Sequence, residues 1–353
     1  MNAPKIRSDI SQRLQQLSLA SLLKGLRRTV KNLVLPLTGI VIFLFIWQIA
    51  ASSIVTSLGQ FPGPSDVWQQ SKTLVAEHRQ ERQKADAFYT RQEVRNAKKL
   101  AKNPQADVKV RPYTGKATYF DQIFTSLYTV MFGFLVATFI AIPLGILCGL
   151  SENAYRAINP IIQTFKPVSP LAWLPLVTMV VSALYVSDDP MFEKAFLTSG
   201  FTVALCCLWP TVVNTIVGVA SINRDLIDVS RVLRLSSPVY IKTIVIPSAT
   251  PLIFTGLRLS LATGWMVLIA AEMLAQNPGL GKFIWDEFQN GSSRSLGRIM
   301  VAVITIGIIG FILDQLMESP ICIRTCRDLS PSSVQRKKLK MIHSSVHQEK
   351  LAG

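Results

Sequence analysis

The chain has 353 residues, of which 49% are apolar and only 16% charged, and a formal net charge of +16. Soluble domains carry about a quarter charged residues, so the composition excludes an ordinary soluble enzyme and points to a membrane protein. The positive charge is spread over loops and termini, which makes nucleic acid an unsuitable partner.

In chain order, residues 1 to 31 hold seven Lys or Arg against one Asp. Ile10, Leu14, Leu17, Leu22, Leu26 and Val30 give them an approximate apolar face, which predicts an interfacial helix leading into the first span. Charge-free runs follow at Asn32–Ser65, Ile123–Ser151, Pro167–Ser187 and Ala195–Asn223. A spanning helix needs only ~20 apolar residues. Two further runs carry charge: 248–275 contains Arg258 and Glu272, and 299–317 has Asp314 near its end. The expected fold is therefore an all-α integral membrane protein with about six transmembrane helices, at 33–55, 123–150, 167–187, 195–222, 248–275 and 299–317, within a membrane domain of residues 32–318. The first run far exceeds the ~7–15 apolar residues of a cleaved signal.

Six spans place both basic ends on one side, which the positive-inside rule assigns to the cytoplasm. The loop 223–247 then also lies inside, and Asp188, Asp189 and Glu193 outside. One segment runs against the rule: Lys72 to Lys116 holds twelve basic and five acidic residues, yet falls outside. Long loops translocate with less regard for charge. Within this insertion, residues 66–121, charge, Gln and Ala predict one or two exposed helices and an extended return after Asn103-Pro104 and Arg111-Pro112. It reads either as a solvated spacer or as a docking face or collector for anions. The tail 319–353 loses periodicity and reads as disordered.

The loop 223–247 is long for a connection between spans. Leu226, Val229 and Leu233 recur at helical spacing, with Asp225, Asp228 and Arg231 among them, and Ser237-Pro238 looks like an N-cap followed by a first helical position. The segment reads as helix, turn, helix at the membrane surface.

Asp228-Val229-Ser230, Arg234 and Ile244-x-Ile246-Pro247 have the spacing of the EAA loop, E-A-A-x3-G-x9-I-x-L-P, of ATP-binding-cassette importer permeases. Asp replaces Glu, Val-Ser replaces Ala-Ala, and Arg234 replaces the glycine. GLRLSLATGWMVLIAAEMLAQNPGLGKFIWDEF (Gly256 to Phe288) resembles the nitrate/sulfonate/taurine branch of that family. KPVSPLAWLPL (Lys166 to Leu176) and FPGPSDVW (Phe61 to Trp68) are similar to its nitrate and bicarbonate members. The resemblance extends over roughly Leu33 to Met317.

It implies a permease that pairs with a second permease chain, expected as a homodimer, in the plasma (inner) membrane. It also implies two cytoplasmic ATPase subunits carrying ATP and Mg, and an external substrate-binding protein. The substrate expected from the resemblance is nitrate or nitrite, with bicarbonate as the alternative. The 223–247 element becomes a cytoplasmic coupling loop, with Asp225, Asp228, Val229, Ser230, Arg231, Arg234, Ile246 and Pro247 as its candidate residues and charge-assisted contacts to the ATPase expected from the four charged ones.

Charges inside apolar spans are costly and should face a cavity or a partner. Arg258 and Lys166 are therefore candidate pathway residues, with snorkelling or an intrahelical pair as the alternative for both. Glu272 is expected to pair with a basic group or with the loop that follows it. Pro167, Pro170 and Pro175 break the third span, and broken helices usually line a cavity; Ser169, Leu171 and Trp173 are candidate gate residues.

Other chemistry finds little support. The sequence has no P-loop, so the chain itself is not expected to hydrolyse ATP or to bind a cofactor. His78, His343 and His347 lie in polar loop or tail, so no metal site is expected. Cys148, Cys206 and Cys207 read as packing residues, and Cys322 with Cys326 makes only a two-ligand pair. An ATP-independent secondary transporter would explain the spans but should show internal repeats and midplane carboxylates, and neither is visible.

Overall fold

The structure, a computed structural model, describes residues 34–56, 59–103, 108, 110–186, 192–292 and 294–318. The expected interfacial helix, the tail with its cysteines and histidines, and Asp188 and Asp189 lie outside the described residues. The elements are α1 (Val34–Ser53), a short hairpin of β1 (Val55–Thr56) and β2 (Gly59–Gln60), α2 (Pro64–Lys102), α3 (Tyr119–Leu150), α4 (Glu152–Phe165), α5 (Pro170–Leu184), α6 (Lys194–Ala220), α7 (Arg224–Val232), α8 (Ser237–Tyr240), a π-helical turn (Ile241–Val245), α9 (Ile246–Ala275), α10 (Leu280–Asn290) and α11 (Ser295–Met317).

Among the described residues, five helices are long and apolar enough to cross a membrane: α1, α3, α6, α11 and the continuous helix Ser237–Ala275. The third expected span, 167–187, holds α5, which forms a bent pair with α4 before it. Here α4 and α5 meet at 102°, and the break falls at Lys166–Ser169. Pro170 holds Ser169 before it in an extended conformation (ψ 134°), and Pro167 has no amide with which to continue α4. At 15 residues α5 is shorter than the ~20 needed to span, so it crosses only together with its bent partner.

The bundle is organised around α6. Gly133, Gly145 and Gly149 of α3 lie against Val203, Thr215 and Val219 of α6, so the two helices run parallel. Gly256 and Gly264 of α9 meet Asn214 and Cys207, so α9 runs antiparallel to both. Small residues matter here because lipid offers no hydrophobic force between helices, leaving close packing and interhelical hydrogen bonds to hold them. Thr211 and Ser260 share a 2.6 Å bond, Ser260 donates to the Cys207 carbonyl at 2.6 Å, and Trp265 Nε1 donates to the Ile306 carbonyl of α11 at 3.0 Å. Such bonds contribute roughly 0.6 kcal/mol each in membranes. Cys148 and Cys207 are buried packing residues, as expected.

These directions give the bundle two distinct ends. The ends of α3, α6 and α11 and the start of α9 share one, with the 223–247 loop. The starts of α3, α6 and α11 share the other, with α10 and α2. The insertion is thus one 39-residue helix, α2, followed by an extended return. Its first half packs on the core through Val67 and Leu74, with ion pairs Arg82–Asp121 and Arg298–Glu77. His78 shares a 2.7 Å bond with Thr118, whose hydroxyl and Asp121 form a reciprocal cap on α3. The return is braced by Tyr113, whose hydroxyl donates to Glu81 at 2.8 Å and whose amide donates to the Tyr89 hydroxyl. The Tyr113 bond, with a smaller effect of Lys84, holds the Glu81 carboxyl below its ordinary range, and the same bond pushes the Tyr113 phenol up.

Candidate functional site

At the 223–247 end, α7 starts where Asn223 accepts from the Asp225 amide at 3.1 Å. Ile227 packs on the core and Ser230 is buried, its hydroxyl donating to the Ile227 carbonyl at 2.6 Å. A larger side chain at position 230 would push α7 off the bundle, which explains a small residue there. Leu226, Val229, Val232, Leu233 and Val239 point the other way, and Val232 is 82% exposed. Asp225, Asp228, Arg231 and Arg234 are exposed among them. The Asp228–Arg231 pair is 3.4 Å long between largely exposed side chains and contributes little. An apolar face rimmed by charges is therefore what this element presents, and a reading from its charges alone misses Val232, Leu233 and Val239.

The turn after α7 depends on Arg234, whose φ of 47° is left-handed. The position still makes the turn that a glycine makes without strain, and the Leu235 amide donates to the Ser230 carbonyl at 3.1 Å. The cap of α8 is Ser236 rather than Ser237, and Pro238 sits within its first turn. Pro247 lies inside the continuous helix Ser237–Ala275. A proline in an α-helix clashes with the carbonyl four residues back. The π turn just ahead of it, where the Ile246 amide donates to the Ile241 carbonyl, widens the helix and accommodates the ring.

Arg258 does not stand free in the bundle. Its guanidinium grips Asp314 of α11 at 2.5 and 2.7 Å and reaches Glu318 at 3.1 Å. The pair is interhelical, unlike the intrahelical alternative weighed from sequence, and two carboxylates neutralise the cation.

Glu272, 1% exposed, takes the second of its two expected alternatives: it bonds the loop that follows it. Ser126 of α3 donates to its carboxylate (2.8 and 2.9 Å to the two oxygens), and the Gly281 amide donates at 2.9 Å. The Leu280 amide donates to Ser126 at 2.9 Å, and Asn277 donates to Ser199 of α6 at 2.7 Å. A Cβ at Gly279 would collide with the Glu272 carboxylate, and one at Gly281 with the Ile269 carbonyl, so the GLG run is small by necessity. Three helices are thus tied to the start of α10 by one polar knot. Ser126 and Ser199 lie too far from Glu272 in sequence to be found without the fold.

Lys166, Pro167 and Ser169 are exposed at the α4–α5 break, with Pro170 opening α5. Trp173 stacks near Phe165, which in turn lies parallel to Trp209 of α6. From Trp173 an apolar groove of about 520 Å³ runs along α5 and α6, past Val177, Leu184, Phe201 and Leu205. The pathway candidates therefore fall in three separate places: the break, the Arg258 pair and the Glu272 knot.

The family described as the binding-protein-dependent transport system inner membrane component matches residues 141–319. A nitrate import permease protein NrtB of Synechocystis sp. is 34% identical over 282 residues, spanning 80% of this chain and 86% of its own length. The chain belongs to this family of importer permeases. A bicarbonate transport system permease protein CmpB of Synechococcus elongatus is 33% identical over 296 residues, covering 84% of this permease and 90% of its own length. The permease chain of the MetNI methionine transporter, in an inward-facing form, superposes with a TM-score of 0.51 at 12% identity, covering 60% of this chain and 95% of that one. That likeness supports the fold. This permease is thus a multi-pass membrane component of an ATP-binding-cassette importer.

Proposed function

We propose that this permease forms, with a second copy, the membrane path of an ATP-driven importer for a small inorganic anion, nitrate or nitrite first and bicarbonate as the alternative. The names of the relatives support this substrate class. The observation that carries the mechanism is the 223–247 element: an exposed apolar face, rimmed by charge, fixed directly to α6 and α9. In this reading it seats in a cytoplasmic ATPase subunit that holds ATP and Mg, and both chain ends lie on that side. Asp225, Asp228, Val229, Arg231 and Arg234 meet the ATPase. Ser230, Ile246 and Pro247 set the angle at which α7 and α9 receive the movement.

The groove along α5 and α6 faces the second permease chain, and Lys166, Pro167, Ser169, Pro170 and Trp173 line the mouth of the path near the break. Arg258 and Glu272 act as fixed joints between moving helices, because their charges and lone pairs are already engaged.

The test is reconstitution of the permease with its ATPase subunits and external binding protein in liposomes. Nitrate-, nitrite- or bicarbonate-stimulated ATP hydrolysis, with uptake of the same anion, supports the proposal and names the substrate. Anion uptake without ATP would move the assignment to a secondary transporter.

A further inference from the structure

The insertion helix α2 has two halves of different character. Up to Ala85 it is packed on α3 and α11; from Asp86 to Lys102 it continues for about 25 Å with its side chains exposed, apart from Phe88, Gln92 and Asn96. This distal half carries Arg91, Arg95, Lys98, Lys99 and Lys102 against Asp86 and Glu93. A helix that is polar all round and lacks a core does not hold itself in place. This one is held. The Tyr113 ring lies tilted against Phe88 (5.4 Å between ring centres), and the Gln92 amide, oriented to accept from the Arg111 amide and donate to its carbonyl, bonds at 2.8 and 3.2 Å. The permease thus braces a basic arm at the end of the bundle opposite the 223–247 loop, where the positive-inside tendency disfavours such charge.

We infer that this arm is a docking surface for an acidic face of the soluble binding protein that delivers substrate, an inference that rests on the function proposed above. A second copy of the arm is excluded as the occupant by like charge. A lipid surface fits poorly, because a surface-lying helix needs a broad apolar face, and the exposed large apolar residues of α2 from Asp86 onward, Tyr89, Val94 and Leu100, are too few to make one. A family that works with a soluble binding protein supplies an occupant at this end, and clustered basic charge speeds the encounter with an acidic protein. The arm's first half rests on α11 and reaches α10 through Arg298, which also bonds Glu287 at 2.8 Å. Docking would therefore bear directly on the outer ends of the moving helices.

The test uses the complete complex in nanodiscs. ATP hydrolysis is measured against the concentration of binding protein for the wild type and for Arg95→Glu/Lys98→Glu/Lys99→Glu, a change confined to exposed side chains. The variant is expected to need about tenfold more binding protein for half-maximal stimulation at low salt, with the same plateau, and the gap closes at high salt. Equal half-saturation at both salts, with stimulation intact, overturns the arm while leaving the importer reading in place. Absence of stimulation in the wild-type complex overturns the importer reading and this inference with it. A gap that vanishes in nanodiscs of purely neutral lipid assigns the arm to anionic headgroups and overturns the docking role.

Discussion

Arg258 of α9 and Asp314 of α11 meet in a two-bond clasp, at 2.5 and 2.7 Å, with Glu318 beside it. Removing one partner leaves an uncompensated charge among apolar helices, whereas removing both does not. Arg258→Leu and Asp314→Leu should therefore each lower the melting temperature in detergent by ~2–4 °C per kcal/mol lost, while the double variant melts nearer the wild type. Additive losses would show that the clasp is not the coupled unit described here.

The knot at Glu272 should be the more sensitive joint, since its atoms are buried. Ser126→Ala deprives the Glu272 carboxylate of a donor and the Leu280 amide of an acceptor, a cost of roughly 1–3 kcal/mol for each buried group left unsatisfied. Gly281→Ala forces a methyl group onto the Ile269 carbonyl and should be worse, because backbone cannot move aside as a side chain does. Thermal unfolding of both variants gives the order; Gly281→Ala melting above Ser126→Ala would contradict it.

At the coupling element, the apolar residues should matter more than the charged pair. Val232→Ser/Leu233→Ser is expected to reduce co-purification of the ATPase subunits about tenfold, in keeping with buried apolar anchors dominating interfaces. Asp228→Ala/Arg231→Ala should change it by less, because that pair is long and exposed. Pull-down of the complex from membranes, normalised to inserted permease, compares the two.

Arg234 offers a gain rather than a loss. A non-glycine residue in left-handed conformation costs roughly 1–2 kcal/mol, and glycine gives back about 0.5–1 kcal/mol in backbone entropy. Arg234→Gly should thus stabilise the turn by up to about 1 kcal/mol. Slower protease cleavage between α7 and α8 is the expected readout.

The Glu81–Tyr113 brace has a defined pH response. Glu81 is depressed by its bond from Tyr113, so its contribution is present above the ordinary glutamate value of 4.5 and is lost as pH falls through the lower folded value. Protection of the amides around Tyr113 against exchange, taken relative to the intrinsic rate at each pH, should fall on acidification, and Tyr113→Phe should show the lower protection already at neutral pH.

Much of the architecture was readable because its signals are local. Charge-free runs mark helices, and the spacing from Asp228 to Pro247 marks a helix, a turn and a second helix. The prolines of the third span announce a break, but not its 102° angle or that α4 precedes it, because hydropathy sums residues without direction. Arg258 and Glu272 stand out in the sequence as costly charges. Their partners Asp314 and Ser126 are 56 and 146 residues away, and no periodicity links positions brought together only by antiparallel packing. The distinction between Val232, facing outward, and Ile227, facing the bundle, likewise needs the fold, since both are apolar and sit on the same short helix.

The helix that begins at Ser237 runs unbroken for 39 residues to Ala275, about 58 Å. One end carries Val239 on the apolar face of the 223–247 element; near the other end Glu272 clamps α10. The π turn at Ile241–Val245 lies close to the first end, so bending of this rod concentrates there. Beyond it, Ile246–Ala275 reaches Glu272 as a single α-helix. The rod therefore has its hinge beside the loop and its stiff length toward the knot, like an oar held near its handle.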